Sequence, residues 1–487
     1  MTMTRRPRST LTIDRKESFQ VDSQDKQFSK QYANLYWLRL VVQRNIVLQR
    51  AQSRWKHVTA GPKHEAPTFV KRMLDVQQGQ LCFIIGTLYM DMPLKPNVLE
   101  DLARDHYIAA PPPRRKFNSQ NDEVMLEDES GRIRLIGQVI QDQLGTFVTG
   151  TIVAALGAET PSGDFKVVEL IYPGLAPQSD TLSNLVTDDD VKMDSKDASV
   201  DHQDDNDDDD DDDNEWIALA SGLNIGSTHE PTDVRLSLLC EWLKGELNDD
   251  DDDSKDLKQI GKITRLILCG NCLTSPDINI DESKPKRYGY DSSTFSASPT
   301  LLLDSLLSDV LTSLPISLMP GDQDPTAPTL PQQPLHKALL PKSESFEYFE
   351  TVTNPCWFKD EINKLTMLVT SGQNLDDVFK YLKSEDRLLM SQQMLEWSHI
   401  APTCPDTLWC YPFVDRDPFI LKQLPNVYII GNQPKFESTL VTQQDHHDDD
   451  KQTKQTRIIL LPKFNETGQI VLISLKTLKV KLVEFGS

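Results

Sequence analysis

The chain has 487 residues, a hydrophobic fraction of 38% and a formal net charge of −23. This length allows two or more domains with buried cores. No apolar run approaches the roughly 18 residues of a membrane span, and no apolar segment follows the basic residues at the N-terminus. We therefore expect neither a membrane segment nor a signal peptide.

Nearly all of the negative charge lies in three aspartate-rich tracts. Residues 188–213 hold 15 Asp and 2 Lys, 249–256 hold 6 Asp and 1 Lys, and 445–450 hold 4 Asp, which together account for −22. Like charges repel one another and stay solvated, so these tracts are predicted to be flexible insertions in a nearly neutral protein. A cation- or histone-binding tail is the functional alternative.

The seven cysteines favour a reducing compartment, because their number is odd and no secretory signal precedes them. Cys269 and Cys272 have CxxC spacing, but a lone pair supplies only half of a tetrahedral zinc site. We therefore predict buried, unreactive thiols.

The first part of the chain is predicted to form a tail, a helix and a β-domain. Residues 1–30 are polar and lack periodicity, although the cluster Arg5-Arg6-Pro7-Arg8 could serve nuclear import. Residues 31–44 have apolar side chains at helical spacing. Strands are predicted at 80–90, 123–127, 132–137, 146–158 and 165–172. Five strands in a small domain suit an OB-type barrel. Arg132 and Arg134 are nearly the only cations on these strands, which favours protein packing over nucleic-acid binding.

Beyond the first acidic tract, strands alternate with helices, which predicts an α/β layered domain. The predicted strands are 216–220, 263–269, 316–319, 365–370, 427–430, 456–461, 470–475 and 478–485, and the predicted helices are 234–247 and 301–314. Five of these strands end in a glycine beside polar residues, at 222, 270, 321, 372 and 431. Glycine permits sharp turns and close backbone approach, so five such ends on one sheet edge would build a crevice.

These strand ends resemble the motifs of the calcineurin-like metallophosphoesterases, which run Asp-x-His, Gly-Asp-x-x-Asp, Gly-Asn-His-Asp/Glu and Gly-His-x-His. The resemblance places Gly222 and Asn224 at the first Asp and His, and Asn271 at the Asp that bridges the metals. It places Asp322 and Gln323 at the Asn and His of the third motif.

The rest of the pattern is also altered. The lone His has no counterpart beside Gln373, and Asn432 and Pro434 replace the last two histidines. A two-metal site needs several carboxylates and imidazoles to hold cations about 3.5–4 Å apart, and Asp322 with Asp324 cannot do this alone. We therefore expect a retained fold with no metal, no cofactor and no catalytic residue.

The remaining histidines do not change this expectation. His336 and His399 are single and are predicted to be structural. The segment Asp445-His446-His447-Asp448 lies in a solvated acidic tract, where only adventitious metal binding is expected.

Further matching stretches span nearly the whole chain: 28–33, 39–40, 126–129, 132–133, 319–321, 324–325, 330–336, 370–374, 399–403 and 405–413. With these stretches, an OB domain followed by an inactive phosphoesterase domain resembles the B-family regulatory subunits of replicative DNA polymerases, in detail the small-subunit family of DNA polymerase delta. The implied organisation is a disordered tail (1–30), a helix and OB domain (31–185), an acidic linker (186–214) and a calcineurin-like α/β sandwich (215–487) with acidic loops at 248–256 and 445–451.

The resemblance implies a nuclear scaffold. Its expected partners are the C-terminal cysteine-rich metal module of a polymerase catalytic subunit and a further accessory subunit of polymerase delta. The catalytic subunit of polymerase zeta and, indirectly, the sliding clamp are also implied, with weak or indirect DNA contact. The alternatives are an active metal-dependent phosphodiesterase or nuclease with a non-standard ligand set, and an acidic nuclear chaperone acting through the Asp tracts.

Overall fold

The computed structural model describes residues 9–14, 18–21, 32–58, 66–96, 114–178, 215–226, 231–247, 260–274, 297–444 and 453–486. The predicted acidic linker and both acidic loops lie outside these residues, as do the Arg5–Arg8 cluster, the 445–448 segment and most of the predicted N-terminal tail.

The strands, in chain order, are β1 (Leu11–Ile13), β2 (Thr68–Phe69), β3 (Cys82–Asp91), β4 (Glu123–Glu127), β5 (Arg132–Ile136), β6 (Ile152–Glu159), β7 (Phe165–Ile171), β8 (Trp216–Ala220), β9 (Ile263–Cys269), β10 (Ile316–Met319), β11 (Phe349–Thr351), β12 (Cys356–Asp360), β13 (Leu365–Thr370), β14 (Val427–Gln433), β15 (Glu437–Gln444), β16 (Thr453–Pro462), β17 (Gln469–Ser474) and β18 (Val480–Glu484). The helices are α1 (Ala33–Trp55), α2 (Gln138–Asp142), α3 (Pro231–Lys244), α4 (Ser298–Val310), α5 (Gln373–Tyr381), α6 (Arg387–Glu396) and α7 (Phe464–Thr467), with 3₁₀ turns at Met73–Asp75, Lys337–Leu339 and Ser343–Ser345.

Contacts divide the chain into two compact units. The two-sheet unit comprises Met1–Gln20, Asp180–Gly372 and Pro425–Ser487, and the barrel unit comprises Val21–Ser179 and Gln373–Leu424. Residues 373–424, which the sequence places in the C-terminal domain, are thus grouped with the barrel. The division by contacts is therefore interleaved along the chain.

The barrel unit contains a closed sheet. Its strands follow the order β2-β3-β4-β5-β7-β6, and β3 also pairs with β6. The strand predicted at 146–158 begins only at Ile152, because the residues before it form a turn around Gly150 (φ +92°). Helix α1 continues eleven residues beyond its predicted end at residue 44, since Val47, Ala51 and Trp55 extend its buried face at four-residue spacing. That face packs on side chains of β3 and β6.

The two-sheet unit is a sandwich. One sheet has the order β1-β12-β13-β14-β16-β15 and the other has β11-β10-β9-β8-β17-β18. Apolar side chains of both sheets form one continuous core, while α3 and α4 cover the opposite face of the second sheet. The prediction that all five glycine-ended strands share one sheet edge is therefore wrong: β8, β9 and β10 lie in the second sheet, and β13 and β14 lie in the first.

A buried guanidinium organises the barrel unit. Arg39 of α1 donates from Nε to Asp417 Oδ2 at 2.8 Å. Its Nη1 donates to the carbonyls of Pro402 at 2.8 Å and Gly150 at 3.2 Å, and its Nη2 donates to Cys404 O at 2.8 Å. Arg39 therefore ties the helix to the β6 turn and to residues 402–417.

His399 completes this network. The Ala401 N–H donates to His399 Nδ1 at 3.2 Å, so His399 Nε2 carries the proton that it shares with Asp417 Oδ2 at 3.0 Å. Burial, with a further contribution from Arg39, lowers the pKa of His399 to about 4. Burial alone would raise the pKa of Asp417, but Arg39 and His399 bring it below its usual range. The predicted structural role of His399 agrees with these contacts.

The structure contains other features that bear on the predictions. All seven cysteines are buried and unpaired, which confirms that prediction. His336 is exposed, and its Nδ1 accepts the Ala338 N–H at the start of a 3₁₀ turn. In the described part of the chain, no helix combines the length and apolar character that a membrane crossing requires.

We predict that the stability of the barrel unit falls as the pH is lowered from 6.5 to 4. The unfolded chain takes up a proton on His399 near its ordinary pKa, whereas the folded protein resists protonation until about pH 4. The free energy of unfolding should therefore decrease by up to about 1.4 kcal/mol per pH unit in this interval. Thermal melts of wild type and His399→Gln across the interval measure this dependence.

The matched control is His336→Gln, because His336 is exposed. This variant should keep the wild-type dependence of unfolding free energy on pH. In His399→Gln the decrease between pH 6.5 and 4 should be smaller, because the titrating imidazole is absent. Identical pH profiles for all three proteins would contradict the assignment.

Candidate functional site

Loops from both sheets meet at one end of the two-sheet unit. The Gly222 N–H donates to Gly270 O at 3.0 Å, and the Asn224 N–H donates to Asn271 O at 3.0 Å, which joins the ends of β8 and β9. We call the contacting residues the strand-end cluster; it consists of Ser221, Gly222, Asn224, Gly270, Asn271, Gly321, Gln323, Asp324, Ser371, Gly431 and Asn432.

The glycines of this cluster are in close backbone contact. A Cβ on Gly270 would lie 2.3 Å from Ser371 Oγ, and one on Gly321 would lie 2.2 Å from Asn271 Oδ1. A Cβ on Gly431 would lie 2.6 Å from Cys269 O. These loops leave no space for larger side chains where the strands end.

Asn432 links the two sheets. Its Nδ2 donates to Cys269 O of β9 at 3.2 Å and to Ser371 O, just after β13, at 2.8 Å. Its backbone N–H donates to Ser221 Oγ at 2.9 Å. Asn432 has φ +57°, a left-handed conformation that Asn adopts more readily than most residues. The side chain therefore joins β9 to the residue after β13 through two donated hydrogen bonds.

Asp324 is a buried carboxylate that supports the surrounding loops. It accepts the Gly321 N–H at 2.8 Å and the Leu273 N–H at 2.9 Å. Burial raises its pKa to about 6, although these backbone hydrogen bonds oppose the shift. Asn271 Oδ1 similarly accepts the Gln323 N–H at 3.0 Å. All three oxygens, two of Asp324 and one of Asn271, thus accept hydrogen bonds from backbone donors.

The other predicted positions lie outside the strand-end cluster. Asp322 has an exposed side chain, to which Gln323 Nε2 donates at 3.5 Å. Pro434 is exposed just after β14. Gln373 begins α5 and belongs to the barrel unit.

Two polar residues that support the cluster were not predicted as site residues. Gln332 Nε2 donates to Gly321 O at 3.0 Å, and its Oε1 accepts from Asn354 Nδ2 at 2.8 Å. Asn354 Oδ1 in turn accepts the Ser371 N–H at 2.9 Å. Gln332 lies between two prolines in the matching stretch 330–336, which is the only sequence signal for this role.

A pair of metal ions does not fit these residues. The Asn432 amide donates to two main-chain carbonyls, and the Asp324 carboxylate is already used by backbone donors. Cys269 and Cys272 are buried, and burial raises the pKa of both thiols, which disfavours the thiolates that metals bind. In the described ranges, no three His, Cys, Asp or Glu side chains are grouped so that they could hold a metal.

Known proteins resemble this chain over almost its full length. The DNA polymerase delta small subunit of Saccharomyces cerevisiae is 33% identical, and the match covers 96% of this chain and 91% of the yeast protein. The chain belongs to the DNA polymerase delta small-subunit family. The Arabidopsis thaliana small subunit is 32% identical over 94% of this chain and 92% of its own length. The DNA polymerase delta subunit 2 of Drosophila melanogaster is 29% identical over 94% of this chain and 94% of its own length.

Two family models agree with this membership of the DNA polymerase delta small-subunit family. The model of the DNA polymerase delta OB-fold domain matches residues 31–170. The model of the B-type subunits of DNA polymerases alpha and epsilon matches residues 217–438. The predicted fold class, an OB domain with a B-family phosphoesterase-like domain, is therefore confirmed, and so is the family resemblance. Strands β3 to β7 close into a barrel, which is the architecture of an OB fold.

We predict that Asn432→Asp destabilises the two-sheet unit by about 3 kcal/mol, because a buried carboxylate would face the Cys269 and Ser371 carbonyls in place of two donated hydrogen bonds. The measurement is the denaturant-induced unfolding of both proteins. Asn45→Asp, at an exposed position of α1, is the control and should change stability by less than about 0.5 kcal/mol. Equal effects of the two substitutions would show that the Asn432 link is dispensable.

Proposed function

We propose that this chain is a non-catalytic accessory subunit of DNA polymerase delta that acts as a scaffold in the nucleus. The observation that carries the proposal is the strand-end cluster, in which the Asn432 amide joins the two sheets and backbone donors use the Asp324 carboxylate. The nearly full-length similarity to polymerase delta small subunits supports the assembly role. The degenerate positions would thus be structural.

The proposed partner of this scaffold is the C-terminal cysteine-rich metal module of the catalytic subunit, and a further accessory subunit would bind the same chain. Exposed apolar side chains on the barrel unit support protein partners: Trp37 is 52% exposed on α1, and Trp409 is 63% exposed. Exposed aromatic residues are typical anchors of protein interfaces. The catalytic subunit of polymerase zeta is a proposed alternative partner, and the sliding clamp would be engaged only through the assembly.

We expect the full chain to co-purify with a polymerase delta catalytic subunit only when the cysteine-rich module is present. The measurement is affinity capture of purified proteins, followed by calorimetric titration. A catalytic subunit whose module cysteines are changed to serine is the control, since it keeps the chain length but loses the metal. Equal binding to the intact, deleted and serine forms would contradict the scaffold mode.

The alternative function is a metal-dependent phosphodiesterase with a different ligand set. Asp322 offers the only exposed carboxylate among the predicted site positions, and Asp324 is buried. We therefore expect no hydrolysis of bis(p-nitrophenyl) phosphate with manganese beyond the level given by Asp322→Asn. Activity that this substitution abolished would favour the enzyme instead. The chaperone alternative rests on acidic tracts outside the described residues and gains no support from the described part.

A further inference from the structure

A group of cations lies on the barrel unit where the β3–β4 connection contacts α5 and the residues after it. The Phe117 N–H donates to Lys380 O at 2.7 Å, and Lys116 Nζ donates to Leu382 O at 2.8 Å. The connection thus supplies the donors, and main-chain carbonyls of the second segment accept them. We call these cations the basic cluster; its members are Arg114, Arg115, Lys116, Lys380, Lys383 and Arg387. Three members, Arg114, Arg115 and Lys383, are exposed.

One buried aromatic ring gathers half of the basic cluster. Lys116 Nζ lies 3.8 Å from the centroid of the Phe379 ring, Arg387 Cζ lies 4.3 Å from it and Arg115 Cζ lies 5.5 Å from it. Cations are attracted to ring faces, but they repel one another. The ring therefore holds a concentration of positive charge in the folded protein before any partner binds.

The carboxylates near the basic cluster do not neutralise it. Asp377 is buried and pairs with Lys380 at 3.2 Å, and Asp386 caps α6 by accepting the Leu389 N–H at 2.9 Å. Glu385 pairs with Arg115 at 2.8 Å and with Lys116 at 3.2 Å, and Asp376 pairs with Arg387. The Arg115–Glu385 pair is exposed on both sides, and exposed pairs of this kind are weak and easily exchanged for another anion.

The position of the basic cluster on the OB fold indicates the kind of anion. Its first three members lie on the connection between β3 and β4, the first two strands of the ring that the β3–β6 pairing closes, and OB folds commonly bind oligonucleotides with this connection. Tyr89 of β3 is a candidate for base stacking, but Lys95 and Arg132 already lie 4.6 Å and 4.3 Å from its ring centroid. Base readout is therefore disfavoured, and contact with the strand backbone remains.

We propose that the basic cluster binds the phosphodiester backbone of single-stranded nucleic acid, without base preference. The exposed members would contact successive phosphates, while Phe379 keeps Lys116 and Arg387 close enough to add to the local positive potential. Phosphate oxygens would replace Glu385 at Arg115. This contact goes beyond the proposed scaffold function, because it adds a weak nucleic-acid site to an assembly subunit.

The test is fluorescence anisotropy with a labelled mixed-sequence 30-nucleotide DNA strand and the full chain, at 50 to 200 mM salt. Wild type should bind, and its affinity should fall steeply as salt rises. The triple variant Arg114→Glu, Arg115→Glu and Lys383→Glu should bind at least tenfold more weakly. In a plot of log affinity against log salt concentration, the slope of this variant should be less negative by about 2. Each lost phosphate contact on a single strand removes about 0.7 from the slope.

The charge-matched control is Lys337→Glu, Lys435→Glu and Lys476→Glu, three exposed positions in the two-sheet unit. This control should keep wild-type affinity. If charge reversal unfolds the barrel unit in thermal melts, the Arg114→Gln and Arg115→Gln variant replaces it, with a threefold or greater loss expected. Equal losses in the cluster and control variants, no binding at 50 mM salt, or equally tight binding of polyglutamate would overturn the proposal.

Discussion

The close approach of backbone segments at the strand ends is the constraint on which the two-sheet unit depends. Loops from two facing sheets meet there, and a side chain on Gly270, Gly321 or Gly431 would collide with a neighbouring loop. Because the backbones are in contact, their amides must find partners within the cluster, and the Asn432 and Asp324 side chains supply them. The strand ends thereby form a hydrogen-bonded junction.

The barrel unit solves a related problem with an ion pair. Burying Arg39 is costly unless every donor is used, and its Nε, Nη1 and Nη2 all donate to acceptors that converge from the β6 turn and residues 402–417. Lysine could not reproduce this arrangement, because it lacks the planar set of five donors. The neutral His399 then shares Asp417 without adding a second buried positive charge. Both units therefore use side-chain donors to hold converging main-chain carbonyls.

The sequence predicts much of this architecture, and its failures have physical causes. Runs such as 263–269 were located without error because strands buried on both faces are continuously apolar. The short edge strands β1 and β11 were missed, since their pattern comes from pairing partners distant in sequence. The strand β15 was missed because it is largely polar, although it pairs with the next strand, β16. Polar residues at glycine turns indicated the site. The sequence did not show that the strands divide between two sheets, or that Gln332 and Asn354 support the site, because both depend on tertiary contacts.

The residues at positions 222 and 432 depend on each other. Gly222 has φ +64°, and a Cβ there would lie 2.9 Å from Asn432 Oδ1, so an aspartate at this position would be strained and would collide with the amide. Histidine in place of Asn432 would in turn remove the donors to Cys269 and Ser371. Either substitution alone should therefore weaken the junction, because the glycine makes room for the amide and the amide joins the two sheets.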